Sequence, residues 1–157
     1  MKQKVYIETT VISYLTARVS KNSIIAGRQA LTWEWWERCS ASFDLVVSEL
    51  VFQEAKFGDP EAAKKRISHI SEIDSLMISD EAVSLAEALV INGPIPQEYG
   101  EDALHIALCA INGIDFLLTW NCKHLANAML RHKIETAVEA QGYQCPVICT
   151  PAELMEE

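Results

Sequence analysis

The sequence predicts an α/β fold, a three-layer α/β/α sandwich with a mainly parallel central sheet, for a chain of 157 residues. Short apolar runs typical of buried strands alternate along the chain with longer amphipathic stretches typical of helices. No internal repeat, low-complexity segment or linker interrupts this alternation. We therefore expect a single domain that covers residues 1–157.

The chain begins with a strand and two helices. Residues 5–7 form a β-favouring run, and Thr9 and Thr10 after it are good caps for a short helix. Residues 23–39 predict a longer helix that carries three tryptophans. No basic cluster flanks these rings, so we expect them to pack in the core or at an interface rather than to stack on bases.

The middle of the chain predicts two more strands, each followed by helices. Residues 43–47 form the second strand, and residues 73–78 form a weaker third one because two of its residues are polar. Ser48 is a suitable cap for the helix after the second strand, and Gly58-Asp59-Pro60 breaks the chain. The helices predicted here cover residues 49–55, 61–70 and 81–91.

Residues 101–127 predict a helix, a tight turn, a buried strand and a polar loop. The apolar residues of the helix follow the i, i+3, i+4, i+7 pattern and are Leu104, Ala107, Leu108 and Ile111. Asn112-Gly113 is a helix stop, and residues 116–118 form a short apolar strand. The remaining segments predict a helix over residues 125–141, a strand over residues 146–149 and a helix start at Pro151.

The composition limits the function classes. The net charge of −9 argues against a protein that binds nucleic acid through a broad basic surface. It leaves open an enzyme that holds a phosphodiester through metal ions, and a domain that binds a basic segment of a partner. No run of about 18 apolar residues is present, and the first residues lack the pattern of a signal peptide. We expect no membrane span and a cytoplasmic location.

The cysteines indicate neither a disulfide framework nor a zinc site. Their number is odd and no C-x-x-C pair occurs, so we expect reduced thiols. They are Cys39, Cys109, Cys122, Cys145 and Cys149.

Four polar side chains lie at predicted strand ends or in the helices nearby, namely Glu8, Glu54, Asp102 and Asn121. Glu54 falls on the buried side of its predicted helix, where a carboxylate should be paired or bound to a metal. Ligands of parallel α/β sheets bind beyond the carboxyl ends of the strands. Carboxylate and amide oxygens suit Mg²⁺ or Mn²⁺, and converging carboxylates repel one another without a cation. Metal-assisted phosphodiester hydrolysis is the chemistry that this set favours. Taken singly, Glu8 and Asp102 are also explained as carboxylates that stabilise a helix N-terminus.

The order and spacing of four segments resemble the PIN-domain family of metal-dependent ribonucleases. These segments are Y-I-E-T-T-V-I-S-Y-L, V-S-E-L-V-F-Q-E, E-D-A-L-H-I-A-L-C-A-I-N-G-I-D-F-L-L-T-W-N and the final strand with Pro151. The family includes the toxins of many bacterial toxin–antitoxin pairs. The resemblance implies an endoribonuclease that uses Mg²⁺ or Mn²⁺, an RNA substrate, an antitoxin protein as partner, and a homodimer.

The family's acidic positions fall on Glu8, Glu54 and Asp102, and its fourth position falls on Asn121. The resemblance implies that these four residues hold the metal and that Thr119 orients a water or a ligand. Two departures matter: Glu8 is one methylene longer than the usual Asp, and Asn121 is neutral. The amide adds no charge, so a second metal site is in doubt and the activity of the site is open.

Two other functions are compatible with the sequence. One is a PIN-fold module that binds a partner protein and has little or no nuclease activity. The other is an unrelated α/β hydrolase, although the G-x-S-x-G, P-loop and G-x-G-x-x-G motifs do not occur. His105 is explained either as a helix histidine bonded to a neighbour or as a catalytic acid. Lys123 and His124 are either phosphate contacts or residues of a solvated loop.

Overall fold

The structure is a computed structural model of the chain, and it describes residues 1–155. Within these residues, five strands form one parallel sheet in the order β3-β2-β1-β4-β5. The strands are β1 (Lys4–Ile7), β2 (Asp44–Ser48), β3 (Asp74–Leu76), β4 (Phe116–Leu118) and β5 (Val147–Cys149). The prediction of a mainly parallel sheet is confirmed.

Helices cover both faces of the sheet. They are α1 (Thr9–Thr16), α2 (Ser23–Arg38), α3 (Glu49–Ala55), α4 (Pro60–Ile70), α5 (Asp80–Ile91), α6 (Gly100–Ile111) and α7 (Ala128–Ala140). Helices α1 to α4 pack with one another, and α5 packs with α6 and α7. Because crossovers between parallel strands are right-handed, connections that move in opposite directions along the sheet lie on opposite faces. The result is the expected three-layer sandwich.

The strand order places a topological switch point between β1 and β4. From β1 the chain moves outward to β2 and β3, and it then crosses back to β4 on the other side of β1. The backbone N–H of Glu8 donates to the carbonyl of Leu118 at 3.0 Å, so the two strand ends stay joined beyond the sheet. A crevice opens at the carboxyl ends of strands at such a point, and ligands bind there in open α/β sheets.

The three tryptophans of α2 pack inside the chain. Trp35 is fully buried, and its indole N–H donates to the carbonyl of Leu154 at 3.2 Å. The indole of Trp33 donates to the carbonyl of Leu15 at 2.9 Å. Trp36 packs against the ring of His69. These contacts agree with packing in the core. The indole N–H groups of Trp33 and Trp35 both donate to backbone carbonyls of the chain.

Two segments near the C-terminus differ from the sequence prediction. Helix α7 begins at Ala128 rather than at residue 125, because the Asn127 side chain caps it by accepting from the backbone N–H of Met129 at 2.9 Å. The expected helix at Pro151 is a pair of turns in the part of the chain that the structure describes, with two backbone N–H groups bonded to the carbonyl of Thr150.

All five cysteines are free thiols, as the sequence predicted. Among residues 1–155, no helix has the length and apolar character that a membrane crossing requires.

Candidate metal centre

Glu8 lies at the switch point, where β1 ends and α1 begins. Its side chain is buried, with 4% exposed. One carboxylate oxygen, Oε1, accepts from the Thr119 hydroxyl at 2.6 Å, from the backbone N–H of Thr10 at 3.2 Å and from the Thr10 hydroxyl. No residue between 1 and 155 donates to the other oxygen, Oε2. The hydroxyls therefore fix the carboxylate through one oxygen and leave the second one available.

Glu54 reaches the same place from α3. Its Oε1 accepts from the Thr9 hydroxyl at 2.6 Å and from the His105 ring Nε2 at 2.7 Å. Its side chain is 26% exposed. As with Glu8, the hydrogen bonds from the described residues all reach a single oxygen.

His105 connects Glu54 to the core. The ring is fully buried, and its Nδ1 lies 2.6 Å from the Tyr6 hydroxyl, which lies 2.7 Å from the Ser48 hydroxyl. Each ring nitrogen therefore has a hydrogen-bond partner. The sequence placed His105 beside Asp102 on one helix face, but its partners come from β1 and α3 and cannot be read from helical spacing.

The charges of the site shift the pKa values of this pair in opposite directions. Burial lowers the pKa of His105, but the hydrogen bond to Glu54 and the negative charges of Glu8, Glu54 and Asp102 together raise it above its ordinary value. Burial raises the pKa of Glu54, but the hydrogen bond and charge of His105 and the Thr9 hydroxyl bring it below its ordinary value. The carboxylates around His105 thus favour its protonated form, and His105 favours the ionised form of Glu54.

Asp102 and Asn121 are joined directly. The Asn121 side-chain N–H donates to Asp102 Oδ1 at 3.1 Å, and its amide oxygen accepts from the backbone N–H of His124 at 3.0 Å. A carboxylate on one side and an N–H donor on the other fix the orientation of the amide. Burial, followed by the charge of Glu8, raises the pKa of Asp102, although His105, His124 and Asn121 oppose this shift.

The three carboxylates fit a hard divalent cation. Ligand atoms of Glu8, Glu54 and His105 lie within 4.8 Å of one another. Asp102 is not part of this group, but its negative charge acts on His105 and it keeps one oxygen without a hydrogen bond from the described residues. Carboxylate oxygens suit Mg²⁺ or Mn²⁺, whereas imidazole suits softer ions such as Zn²⁺, and both nitrogens of this ring already have hydrogen-bond partners. The free oxygens of Glu8, Glu54 and Asp102 are therefore chemically suited to such a hard ion.

Asn121 lies beside Asp102 and bonds to it directly. Its amide oxygen already accepts one hydrogen bond, and its nitrogen faces Asp102, so the residue orients that carboxylate in the structure. The Thr119 hydroxyl donates to Glu8 and accepts from the backbone N–H of Asn121 at 2.9 Å. Thr119 therefore links the two strand ends that carry the site.

The loop after Asn121 forms the rim. The rings of His124 and Tyr99 stack with their centres 3.7 Å apart, and Tyr99 lies directly before α6. Lys123 is exposed. The stack connects the loop that carries Asn121 to the start of the helix that carries Asp102, so it fixes these two segments relative to each other.

The fold, together with the carboxylates at the carboxyl edge of its sheet (the acidic edge), defines a PIN-like protein. The chain is similar to solved toxin structures. One is VapBC2 from Rickettsia felis, solved with a DNA fragment from its promoter: the identity is 13%, the TM-score is 0.59, and the match covers 94% of this chain and 98% of that one. Another is Mycobacterium tuberculosis VapC20, described as a toxin that cleaves the Sarcin-Ricin loop. Here the identity is 12%, the TM-score is 0.59, and the match covers 90% of this chain and 99% of that one.

These matches confirm the PIN-like fold that the resemblance implied. At 12–13% identity they establish the fold and leave the activity of this chain to experiment. No protein-family model matches the chain, and no curated protein matches its sequence.

Proposed function

We propose that the chain is a metal-dependent endoribonuclease of the kind found as the toxin of a toxin–antitoxin pair. One observation carries this proposal: carboxylates from three separate segments, Glu8, Glu54 and Asp102, lie at the switch point and each has an oxygen that the described residues leave without a hydrogen bond. A site for Mg²⁺ or Mn²⁺ is the use that best explains the desolvation cost of grouping like charges there.

The residues have distinct roles in this proposal. Glu8, Glu54 and Asp102 hold the ion, and the ion supplies an activated water and stabilises charge on the scissile phosphate. The hydroxyls of Thr9, Thr10 and Thr119 orient the two glutamates. Asn121 orients Asp102 and gives the site no further charge.

The partners follow from the same proposal. The substrate is RNA, which the description of the Mycobacterium tuberculosis toxin supports. An antitoxin protein is the proposed partner, which the VapBC2 match supports. We also propose that residues 1–157 form one domain, and that the protein is a homodimer in the cytoplasm.

The test is Asp102→Ala. We expect this variant to lose Mn²⁺-dependent cleavage of RNA and to lose Mn²⁺ binding in isothermal titration calorimetry, while its circular dichroism spectrum is unchanged. Glu101→Ala is the matched control, because Glu101 is an exposed carboxylate one position earlier in α6. Cleavage by purified Asp102→Ala at the wild-type rate would defeat the proposal.

A second function rests on Asn121. The amide supplies no fourth negative charge, and its oxygen is already bonded to the backbone of the rim loop. This geometry suits a PIN-fold module that binds a protein and has lost nuclease activity. A folded wild-type protein that binds no Mn²⁺ and cleaves no RNA, even after Asn121→Asp, would favour this second function.

A further inference from the structure

Arg28 contacts Trp120, which lies between two residues of the candidate metal centre. Its guanidinium carbon is 5.5 Å from the centre of the Trp120 ring, a distance typical of a cation–π contact. Trp120 is the residue between Thr119 and Asn121, and its side chain is buried, with 7% exposed. The guanidinium of Arg28 therefore contacts the segment that carries Thr119 and Asn121.

Helix α2 and the strand end hold Trp120 in place. Its indole N–H donates to the hydroxyl of Thr32 at 2.8 Å, and Thr32 lies four residues after Arg28 on the same face of α2. Its backbone N–H donates to the Thr10 hydroxyl at 2.9 Å, and that hydroxyl donates to Glu8. A short chain of contacts thus runs from Arg28 through Trp120 to the carboxylate of Glu8.

Arg28 has no acidic partner among residues 1–155. The ion pairs there involve Arg38, His105 and Arg131, and no hydrogen bond leaves the Arg28 guanidinium. Most of the lysines and arginines of the chain lie outside these ion pairs, so the contact with Trp120, and not the missing carboxylate, distinguishes Arg28 from the other basic residues. Arg28 is half-buried.

We propose that Arg28 binds a phosphate of the RNA strand on the Trp120 side of the metal centre. This inference rests on the proposed ribonuclease function and adds a substrate-positioning residue to it. A guanidinium presents a planar fork that pairs with two phosphate oxygens, and stacking on an aromatic ring fixes the plane of the fork. The contact holds the strand across the acidic edge, where the net charge of −9 would otherwise repel it.

A purely structural role for Arg28 is to cover the Trp120 ring. The two roles are separable because Arg28→Met keeps a long apolar stem over the ring and removes only the charge. Arg38→Met is the matched control: Arg38 is on the same helix, is exposed, and pairs with Glu34 at 2.7 Å. Both variants change the net charge of the protein by the same amount.

The measurement is the fluorescence anisotropy of a short labelled single-stranded RNA in Mg²⁺, with a gel to confirm that the RNA is intact at the reading. We expect Arg28→Met to weaken binding about tenfold and to reduce the slope of log K against log salt by about 0.7, the share of one phosphate contact on a single strand. Arg38→Met should match the wild type. Arg28→Lys should fall between wild type and Arg28→Met, because it keeps the charge and loses the fork.

Each other outcome counts against the inference. Equal binding by Arg28→Met and the wild type overturns it, and so does an equal loss in Arg28→Met and Arg38→Met, which would be an effect of net charge alone. If circular dichroism shows that Arg28→Met does not fold, Arg28→Gln is read by the same criteria. If the wild type neither binds nor cleaves RNA, both the proposed function and this inference are wrong. If the wild type cleaves RNA and Arg28→Met binds it as tightly as the wild type does, only this inference is wrong.

Discussion

The contact between Asn121 and Asp102 determines how much negative charge the metal centre carries. The amide donates to Asp102 at 3.1 Å, so in the absence of an ion it offsets part of the repulsion among the carboxylates. A carboxylate in its place would bring two acids into contact. The residue therefore stabilises the metal-free protein, and in the proposed metal site it would attract a second cation less than a carboxylate would.

Replacing Asn121 with Asp should separate these two effects. In EDTA, Asn121→Asp should lose about 1–3 kcal/mol of stability, since a hydrogen bond is replaced by like-charge repulsion, and its melting temperature should fall by about 2–4 °C per kcal/mol. On going from EDTA to Mn²⁺, the melting temperature of Asn121→Asp should rise by more than that of the wild type, because the added carboxylate attracts the ion. Thermal unfolding followed by circular dichroism measures both changes.

Asn22→Asp is the control for this substitution. Asn22 is exposed and caps α2 only through its side-chain oxygen, and Asp is an equally good cap, so the charge changes without altering the contacts of Asn121. An Asn121→Asp protein with the same melting temperatures as Asn22→Asp in both EDTA and Mn²⁺ would contradict this account of the contact.

Sequence reasoning could name the individual acids but not the partners that hold them. Glu8 and Asp102 stood out because they lie at a predicted strand end and a predicted helix start, and Glu54 because it falls on the buried side of a predicted helix. The contact between His105 and Glu54 joins residues 51 positions apart, and the contact between Thr119 and Glu8 joins residues 111 positions apart. Such contacts depend on how the helices pack on the sheet, and no local spacing encodes that packing.

Helix α6 presents Asp102 to the site, and its two ends are set by glycines of different kinds. Gly113 has a φ of +65°, and the N–H of Ile114 after it donates to the carbonyl of Cys109 at 3.0 Å. This is the left-handed helix end for which glycine is best suited. Gly100 begins the helix in ordinary helical conformation, and a Cβ there would meet nothing within 4 Å.

Alanine at these two glycines should therefore change stability in opposite directions. Gly113→Ala should cost about 1–2 kcal/mol, because an L-residue is strained in the left-handed region. Gly100→Ala should gain about 0.4–1 kcal/mol, because alanine loses less backbone freedom on folding. Urea unfolding of both variants and the wild type provides the test. A Gly113→Ala protein as stable as the wild type would show that this helix end does not need a left-handed residue.

The accuracy of the element predictions depended on whether a local signal marked each boundary. The stop at Asn112-Gly113 was visible because glycine is the usual residue there, and Ser48 caps α3 as expected, accepting from the backbone N–H of Val51 at 3.3 Å. The start of α7 was placed too early because residues 125–127 are compatible with a helix. In the fold, the N–H groups of Leu125 and Ala126 bond instead to the carbonyl of Asn121 and form turns.

The sheet order brings the distant parts of the site together. Alternating strands and helices predicted a parallel sheet, but several strand orders satisfy the same pattern, and only the order β3-β2-β1-β4-β5 places the switch point between β1 and β4. Glu8 and Thr119 meet because they follow these two neighbouring strands. The meeting of the acids is therefore a property of the topology and not of any single motif.

The acidic character of the whole molecule predicts that the proposed RNA binding depends on a divalent ion. At a net charge of −9, the protein repels a polyanion unless the carboxylates of the metal centre are neutralised. We expect EDTA to weaken binding of single-stranded RNA at least about tenfold relative to Mg²⁺ at equal ionic strength, since a bound ion reverses the local charge of the site. Fluorescence anisotropy measures the difference.

Spermidine distinguishes a specific ion from general screening. This organic cation neutralises RNA phosphates but cannot be coordinated by Glu8, Glu54 and Asp102 as a compact metal ion can. Spermidine at matched ionic strength should therefore leave binding close to its level in EDTA. Restoration of full binding by spermidine would show that long-range repulsion, and not the metal centre, controls access of RNA. In that case Asp102→Ala would bind RNA like the wild type in EDTA, in Mg²⁺ and in spermidine. A metal-dependent site instead requires that Mg²⁺ no longer strengthens RNA binding by Asp102→Ala.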